Sequence, residues 1–293
     1  MNPTPCIDIR GLEKRYPRFT LGPIDLSIPS GTIYGLIGPN GAGKTTLIDQ
    51  IFGMGAPDAG TIRVCGLDHS LDEVAVKQKA AYVGPDLNFI VWGKVSKAIR
   101  FIRGFRPTWD DAYADRLMQS LGINGSDKIA TLSFGGRMKL SLLLALAWRP
   151  QVLVLDEPTT GLDAHSKKAI FTELLSIVKD EARTVLISSH QISDLERFAD
   201  CVGVLNGGRM LLHGETSDLV ERYVQVEFSA DDPARIHKMP GLVVQDHEAG
   251  RWQAVLDTRT SSLQSLASLG ATAVHSQALT LEELFLALTK QSI

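Results

Sequence analysis

The run Gly38-Pro39-Asn40-Gly41-Ala42-Gly43-Lys44-Thr45-Thr46 constrains this chain more than any other stretch. Its glycines leave backbone N–H groups free to converge on an anion, and the chain then enters a helix whose first turn carries partial positive charge. The flanks fit that reading. Thr32–Ile37 reads as a buried strand before the loop, and Thr45–Phe52 as a helix after it. In such a setting Lys44 reaches the β- and γ-phosphates of a nucleotide, and the Thr45 hydroxyl can ligate Mg²⁺.

With 293 residues the chain has room for one large domain and a small one. A formal charge of −3 without a basic stripe argues against nucleic acid as a partner. Cys6, Cys65 and Cys201 are far apart in sequence and odd in number, which reads as a reduced, cytosolic chain. No apolar signal segment opens the sequence, and no apolar run approaches the ~20 residues that span a bilayer. Leu140–Trp148, the most apolar helix candidate, is expected in a core.

Strand-like segments at Cys6–Arg10 and Ile24–Ile28 precede the strand of the phosphate loop, and Gly60–Val64 and Ala81–Val83 follow the first helix. Residues 87–150 are richer in helical periodicity and read as an inserted helical subdomain. Val152–Leu155, Thr184–Ser188 and Val202–Leu205 are short, wholly apolar runs separated by helical segments such as Ala164–Glu181. That alternation predicts a mostly parallel sheet covered on both faces. Residues 207–214 read as a closing hairpin. Beyond residue 222, strands at Val224–Phe228, Leu242–Gln245 and Trp252–Asp257 and helices at Ser261–Leu269 and Leu281–Lys290 predict a small α+β unit, residues 223–293.

The strand Val152–Leu155 ends in Asp156-Glu157. Asp156 is placed to hold the Mg²⁺ shell, and Glu157 to polarise an attacking water on the γ-phosphate side. Around this pair stand Leu132-Ser133-Phe134-Gly135-Gly136-Arg137 before it, Pro158-Thr159-Thr160-Gly161-Leu162-Asp163 after it, Ser188-Ser189-His190 one strand later, and Lys14-Arg15-Tyr16 near the start. In this order the motifs resemble those of ATP-binding-cassette (ABC) ATPases over residues 1–220. The resemblance implies an α/β fold: a P-loop NTPase core of the ABC ATPase type, with a mostly parallel sheet flanked by helices, an antiparallel β subdomain and an inserted helical subdomain.

The same resemblance implies roles. Tyr16 would stack on adenine, although a packing aromatic beside Pro17 is the plainer alternative. His190 would hydrogen-bond the γ-phosphate and orient Glu157 and the water. Ser133 and Gly135 would bind the γ-phosphate held by an opposite subunit, and Asp163 would connect the two sites. A homodimer or a paired second ATPase subunit is therefore implied, with ATP and Mg²⁺ bound.

Two departures stand out. The signature has Phe134 and Gly136 where the family favours glycine and glutamine. The family's glutamine after the sheet strand is replaced within Tyr82-Val83-Gly84-Pro85-Asp86-Leu87-Asn88. Pro85 or Asp86 takes its place by spacing, and only Asp86 carries a metal-binding group, which would serve equally as a loop cap.

Phe105-Arg106-Pro107-Thr108-Trp109-Asp110 and Gly135–Leu140 resemble the bacterial export-type branch, linked to drug, antibiotic-peptide, lipid or polysaccharide export. The partner implied is a separate membrane permease, with the chain peripheral on the inner face of the cell membrane. Leu87, Phe89, Ile90, Val91 and Trp92, within Asp86–Val95, form an apolar cluster that reads either as the permease groove or as core. Leu281, Leu284, Phe285 and Leu288 share one face of a closing helix, which suggests a tail that aids dimerisation or regulation. The alternative function is a soluble ABC ATPase acting on ribosomes or nucleic acid.

Overall fold

The computed structural model describes residues 5–84, 90–181, 183–230, 233–248 and 250–290. An antiparallel pair opens the chain, β1 (Pro5–Tyr16) and β2 (Phe19–Pro29), followed by β3 (Ile33–Ile37), all five residues of which are buried. Next come α1 (Lys44–Phe52), the hairpin β4 (Ala59–Val64) and β5 (Leu67–Asp68), α2 (Glu73–Lys77) and β6 (Ala80–Val83). Three helices form the insert: α3 (Val95–Gly104), α4 (Asp111–Ser120) and α5 (Phe134–Leu146). The chain returns to the sheet through β7 (Val152–Asp156), α6 (Ala164–Glu181), β8 (Thr184–Ser189), α7 (Ile192–Glu196), and the pair β9 (Cys201–Asn206) and β10 (Arg209–Glu215).

These strands form two sheets. One is antiparallel, in the order β2-β1-β4-β5; the other runs β10-β9-β3-β8-β7-β6, parallel except at β10. The hydrophobic runs explain the second. Its central strands have no polar face, so both faces must be covered by helices. Leu140, Leu142, Leu143 and Leu146 of α5 are at most 1% exposed, which places this apolar helix in the core as its composition demands.

The rest of the chain is α8 (Thr216–Arg222), β11 (Tyr223–Ser229), α9 (Pro233–Ile236), β12 (Leu242–Glu248), β13 (Arg251–Asp257), α10 (Leu263–Ser268), β14 (Thr272–Ala278) and α11 (Leu281–Lys290). Its four strands make a third sheet, β12-β13-β11-β14, with a core of its own around Trp252, Phe228 and Leu266. Helix α11 begins with a capping box. The Thr280 Oγ1 accepts from the Glu283 N–H at 3.2 Å, and Glu283 Oε2 accepts from the Thr280 N–H at 2.8 Å.

The apolar face of α11 does not project from the chain. Leu281 and Leu284 are buried in the main core with Leu195, Leu212 and Leu219, and Phe285 and Leu288 pack against it. This face is thus covered by the chain itself.

Candidate functional site

Register sets the site. Ile37 of β3 pairs with Ser189 of β8, and Asp156 of β7 pairs with Ser188. Three parallel strands therefore end at one level, and the residues just after them, Gly38, Glu157 and His190, come together at the edge where open α/β sheets bind ligands.

The phosphate loop is folded as its composition predicts. Gly43 has φ +105, and a Cβ there would meet Phe19 Cζ at 2.7 Å, so only glycine fits. Gly38 and Ala42 are buried, whereas Pro39, Asn40 and Gly41 face solvent, Gly43 and Thr46 being half-buried. Lys44, 6% exposed, donates from Nζ to Gly38 O at 2.8 Å and Pro39 O at 3.2 Å. The same ammonium lies 3.2 Å from Glu157 Oε1 as an ion pair, without the alignment of a hydrogen bond.

Two polar chains meet at this edge. In one, Thr45 Oγ1 donates to Asp156 Oδ2 at 2.7 Å, and Ser188 Oγ donates to Asp156 Oδ1. In the other, Glu157 Oε2 lies 2.7 Å from His190 Nδ1 and accepts from Thr160 Oγ1 at 3.1 Å. Ser188 joins them, since its Oγ also accepts from the Glu157 N–H at 2.9 Å. Glu157 sits at φ +52, a region that costs a non-glycine residue about 1–3 kcal/mol and that is held here by these contacts. That turn sends the Glu157 side chain toward Lys44 and His190 while its neighbour Asp156 faces Thr45. Burial works to raise the Glu157 carboxyl, but the Lys44 ammonium and the His190 hydrogen bond outweigh it and hold the group below the ordinary carboxylate value.

Tyr16 is 45% exposed at the end of β1 and pairs with Phe19, which packs over Gly43. The aromatic is exposed beside the loop, with the Lys14 ammonium 5.9 Å from its ring centroid.

Ser133 and Asp163 stand apart from the phosphate loop. Ser133 caps α5, accepting from the Gly136 N–H at 3.1 Å, and Asp163 caps α6, accepting from the Ser166 N–H at 2.9 Å. Together with Gly135, Phe134 and Gly161 they line a cavity of about 560 Å³. None of the phosphate-loop residues lines it. Phe134, 38% exposed, lies beside Gly161, which keeps this departure from the signature compatible with the cavity. Asp86 and Pro85 lie outside the described residues.

Four contributors escaped sequence reading. Phe19 roofs Gly43, and the Gly208 N–H donates to Ala42 O at 2.9 Å, tying the loop to the β9–β10 turn. Ser188 and Thr160 were quoted only as parts of motifs, yet they hold the two carboxylates. The position of Ser188 follows from strand register, which no local pattern reveals, and Thr160 reaches Glu157 through the turn that follows it.

A sequence model of the ABC transporter family matches residues 21–160. The Nod factor export ATP-binding protein I of Burkholderia lata is 33% identical over 250 residues, covering 80% of this chain and 80% of that protein. The chain belongs to the ABC transporter ATP-binding family. The daunorubicin/doxorubicin resistance ATP-binding protein DrrA of Streptomyces peucetius, 28% identical, extends the likeness over 98% of this chain and 93% of that one. Among solved structures, cbiO1 from Clostridium perfringens, part of the ABC transporter complex cbiONQ, superposes with a TM-score of 0.65 at 25% identity, over 74% of this chain and 90% of that chain. No described helix of this ABC subunit is long and apolar enough to cross a membrane.

Proposed function

We propose that the chain hydrolyses ATP as one half of a nucleotide-closed pair and drives a separate export permease. The convergence of Lys44, Glu157 and His190 at the ends of three adjacent parallel strands carries this reading. The carboxylate is already within contact distance of both the ammonium and the imidazole, so little reorganisation is needed.

In the structure the Lys44 ammonium is satisfied by two loop carbonyls and by Glu157. A γ-phosphate entering the loop competes with Glu157 for that ammonium. The freed carboxylate, still held by His190 and Thr160, then faces the space where an attacking water would stand. Its depressed proton affinity keeps it ionised, as a base must be at neutral pH. Tyr16 offers its open face to the base of the nucleotide.

Mg²⁺ fits the donor set. Thr45 Oγ1 and Asp156 Oδ2 are hard oxygen donors 2.7 Å apart beside the loop, with Asp156 fixed from behind by Ser188. When bound, the ion neutralises charge on the β- and γ-phosphate oxygens.

The cavity of Ser133, Gly135 and Asp163 supports the paired arrangement. The capping hydroxyl and the N-terminus of the 13-residue helix α5 are exposed there as an anion-binding end, and no phosphate-loop residue of the same chain lines that cavity. A second copy would bring its nucleotide to them.

For the permease, the favoured seat is a groove of about 610 Å³ between α3, α5 and β6, lined by Tyr82, Phe101, Phe105, Leu144 and Trp148. Phe105 is 69% exposed and Phe101 41%, and Trp92 packs against Phe101 with ring centroids 3.9 Å apart and planes tilted by 37°. This groove adjoins the Asp86–Val95 stretch expected from the sequence. Leu87 and Phe89 lie outside the described residues, as does the Ile90 side chain, and Val95 belongs to the core rather than to the surface. The names of the Burkholderia relative, a Nod factor export protein, and of the Streptomyces relative, a drug-resistance protein, support a transport role over ribosome or nucleic-acid work.

The division we propose is an ATPase unit over 1–222, with the helical insert near 87–150, and an accessory unit over 223–293; the separate sheet and core around Trp252 support it, while α11 packs into the main core. The reading is tested by adding ATP to the Glu157→Gln protein and following size. A stable ATP-dependent dimer with negligible turnover is expected, and hydrolysis at the parent rate would remove Glu157 as the base.

A further inference from the structure

The three cysteines are far apart along the chain, yet two of them meet. Cys6 Sγ and Cys65 Sγ lie 3.5 Å apart. The contact follows from the antiparallel pairing of β1 with β4. Ile7 is opposite Val64, so Cys6 comes opposite Cys65, and the Cys65 N–H donates to Cys6 O at 2.6 Å. One backbone bond beyond the last ladder pair thus brings the two residues together, with their sulfurs already in contact.

The local backbone reinforces the pairing. Val64 and Leu67 close a two-residue hairpin whose central residues, Cys65 and Gly66, have φ +50 and +78. The first of these positions favours asparagine, aspartate or glycine. A cysteine held there is strained, and what the turn gains in return is a thiol aimed at Cys6.

The two sulfurs are chemically unequal. Cys6 is buried but borders a surface cavity of about 230 Å³ lined by Arg149, Gln151, Arg183 and Thr184. The hydrogen bond from Cys65, working against burial and helped by the Thr184 and Ser30 hydroxyls, lowers the Cys6 thiol to about 7, while its partnership with Cys6 and burial push the Cys65 thiol up. A sulfur with a pKa near ambient pH is the effective attacker.

We propose that Cys6 and Cys65 form a redox-active dithiol, a modification site at which peroxide drives an intramolecular disulfide between β1 and the β4–β5 turn. In the first step the Cys6 thiolate attacks hydrogen peroxide. An S–O bond forms, the O–O bond breaks, and the departing hydroxide takes a proton, leaving Cys6 as a sulfenic acid. In the second step the Cys65 sulfur attacks Cys6. The S–S bond forms, the S–O bond breaks, and water leaves with the Cys65 proton. The two sulfurs together lose two electrons to the peroxide, giving one disulfide and two waters. Cys201, buried in β9, takes no part in the exchange.

The test treats the purified full-length chain with hydrogen peroxide, counts thiols and maps the linked peptides by mass spectrometry. The accessible-plus-buried thiol count, read after unfolding, should fall from three to one, with a Cys6–Cys65 peptide pair that dithiothreitol releases. In the Cys65→Ser protein, Cys6 should stop at the sulfenic acid and carry a dimedone adduct. In the Cys6→Ser protein, Cys65 should stay reduced. Three thiols surviving excess peroxide in the folded chain, or a linkage that involves Cys201 or two chains, would overturn the proposal. A dimedone adduct on Cys65 in place of Cys6 would overturn the assignment of the attacking sulfur.

Discussion

The Lys44 ammonium and the Glu157 carboxylate form an ion pair at 3.2 Å across the mouth of the phosphate loop. The pairing accounts for much of the lowered proton affinity of Glu157, and in the proposed reading an arriving phosphate breaks it. One contact thus links nucleotide binding to readiness of the base.

Lys44→Ala removes that ammonium and leaves the loop without its central cation. ATP affinity should fall by at least tenfold, and the Glu157 carboxyl should rise toward its ordinary value because its main charge partner is gone. Equilibrium binding of a fluorescent ATP analogue reads the first effect; an unchanged dissociation constant contradicts it.

Glu157→Gln keeps the shape of the side chain and removes the base. Turnover should drop by a factor of about 10²–10⁴ with nucleotide affinity retained. Single-turnover hydrolysis compared with binding separates the two.

Ser188→Ala tests the hub between the carboxylates. The fully buried Ser188 hydroxyl serves both Asp156 and the Glu157 N–H, so its loss leaves a buried donor and a carboxylate oxygen unsatisfied. A stability loss of about 1–3 kcal/mol is expected, together with slower turnover. Urea midpoints and kcat measured on the same preparation check both, and a variant indistinguishable in either respect would show that the hub carries no load.

The bidentate pair of Arg222 with Asp257, at 2.8 and 2.6 Å, ties α8 to β13. The Arg222 hydrogen bonds, opposed by burial and joined by Thr260 and the Arg259 N–H, hold Asp257 down to about 2. A lowered carboxylate stabilises the fold above its unfolded pKa of ~3.9, and that contribution, about 2 kcal/mol, fades as pH falls toward 2. The gap in urea midpoint between the parent and Asp257→Asn should therefore narrow from pH 5 to pH 3; a constant gap contradicts the pairing as the source.

Phe105→Asp should abolish co-purification with the cognate permease while the ATPase activity of the isolated chain stays within twofold. Phe105 is exposed on the groove, at the C-terminal end of α3 rather than at the strand ends. Retained co-purification would move the permease seat elsewhere.

How much of this was legible follows from where the information sits. Strands β3, β7 and β8 are wholly buried and built around short apolar runs, and α11 repeats leucine at helical spacing behind a Thr280/Glu283 capping box, so local pattern sufficed for them. Strand β14 was missed because it lies at the sheet edge with almost every side chain exposed, which removes the hydrophobic signal. Strands β1 and β2 run longer than expected because the hairpin continues through register shifts near Gly11 and Gly22, which look like turns in sequence. The loop, Asp156, Glu157 and His190 were readable from their order. The hub at Ser188 and the meeting of Cys6 with Cys65 were not, since each depends on which residue a neighbouring strand sets opposite.

The central claim is that Lys44 and Ser133 of one chain serve different nucleotides. It is tested most directly by mixing two inactive proteins, Lys44→Ala and Ser133→Glu, allowing the chains to exchange, and measuring ATP hydrolysis. If the pockets are shared between chains, mixed dimers hold one intact site, and the mixture should recover about a quarter of the parent rate, half of the dimers carrying one good site of two. If Lys44 and Ser133 act on the same nucleotide within one chain, every site keeps a lesion and the mixture stays inactive, which would contradict the account.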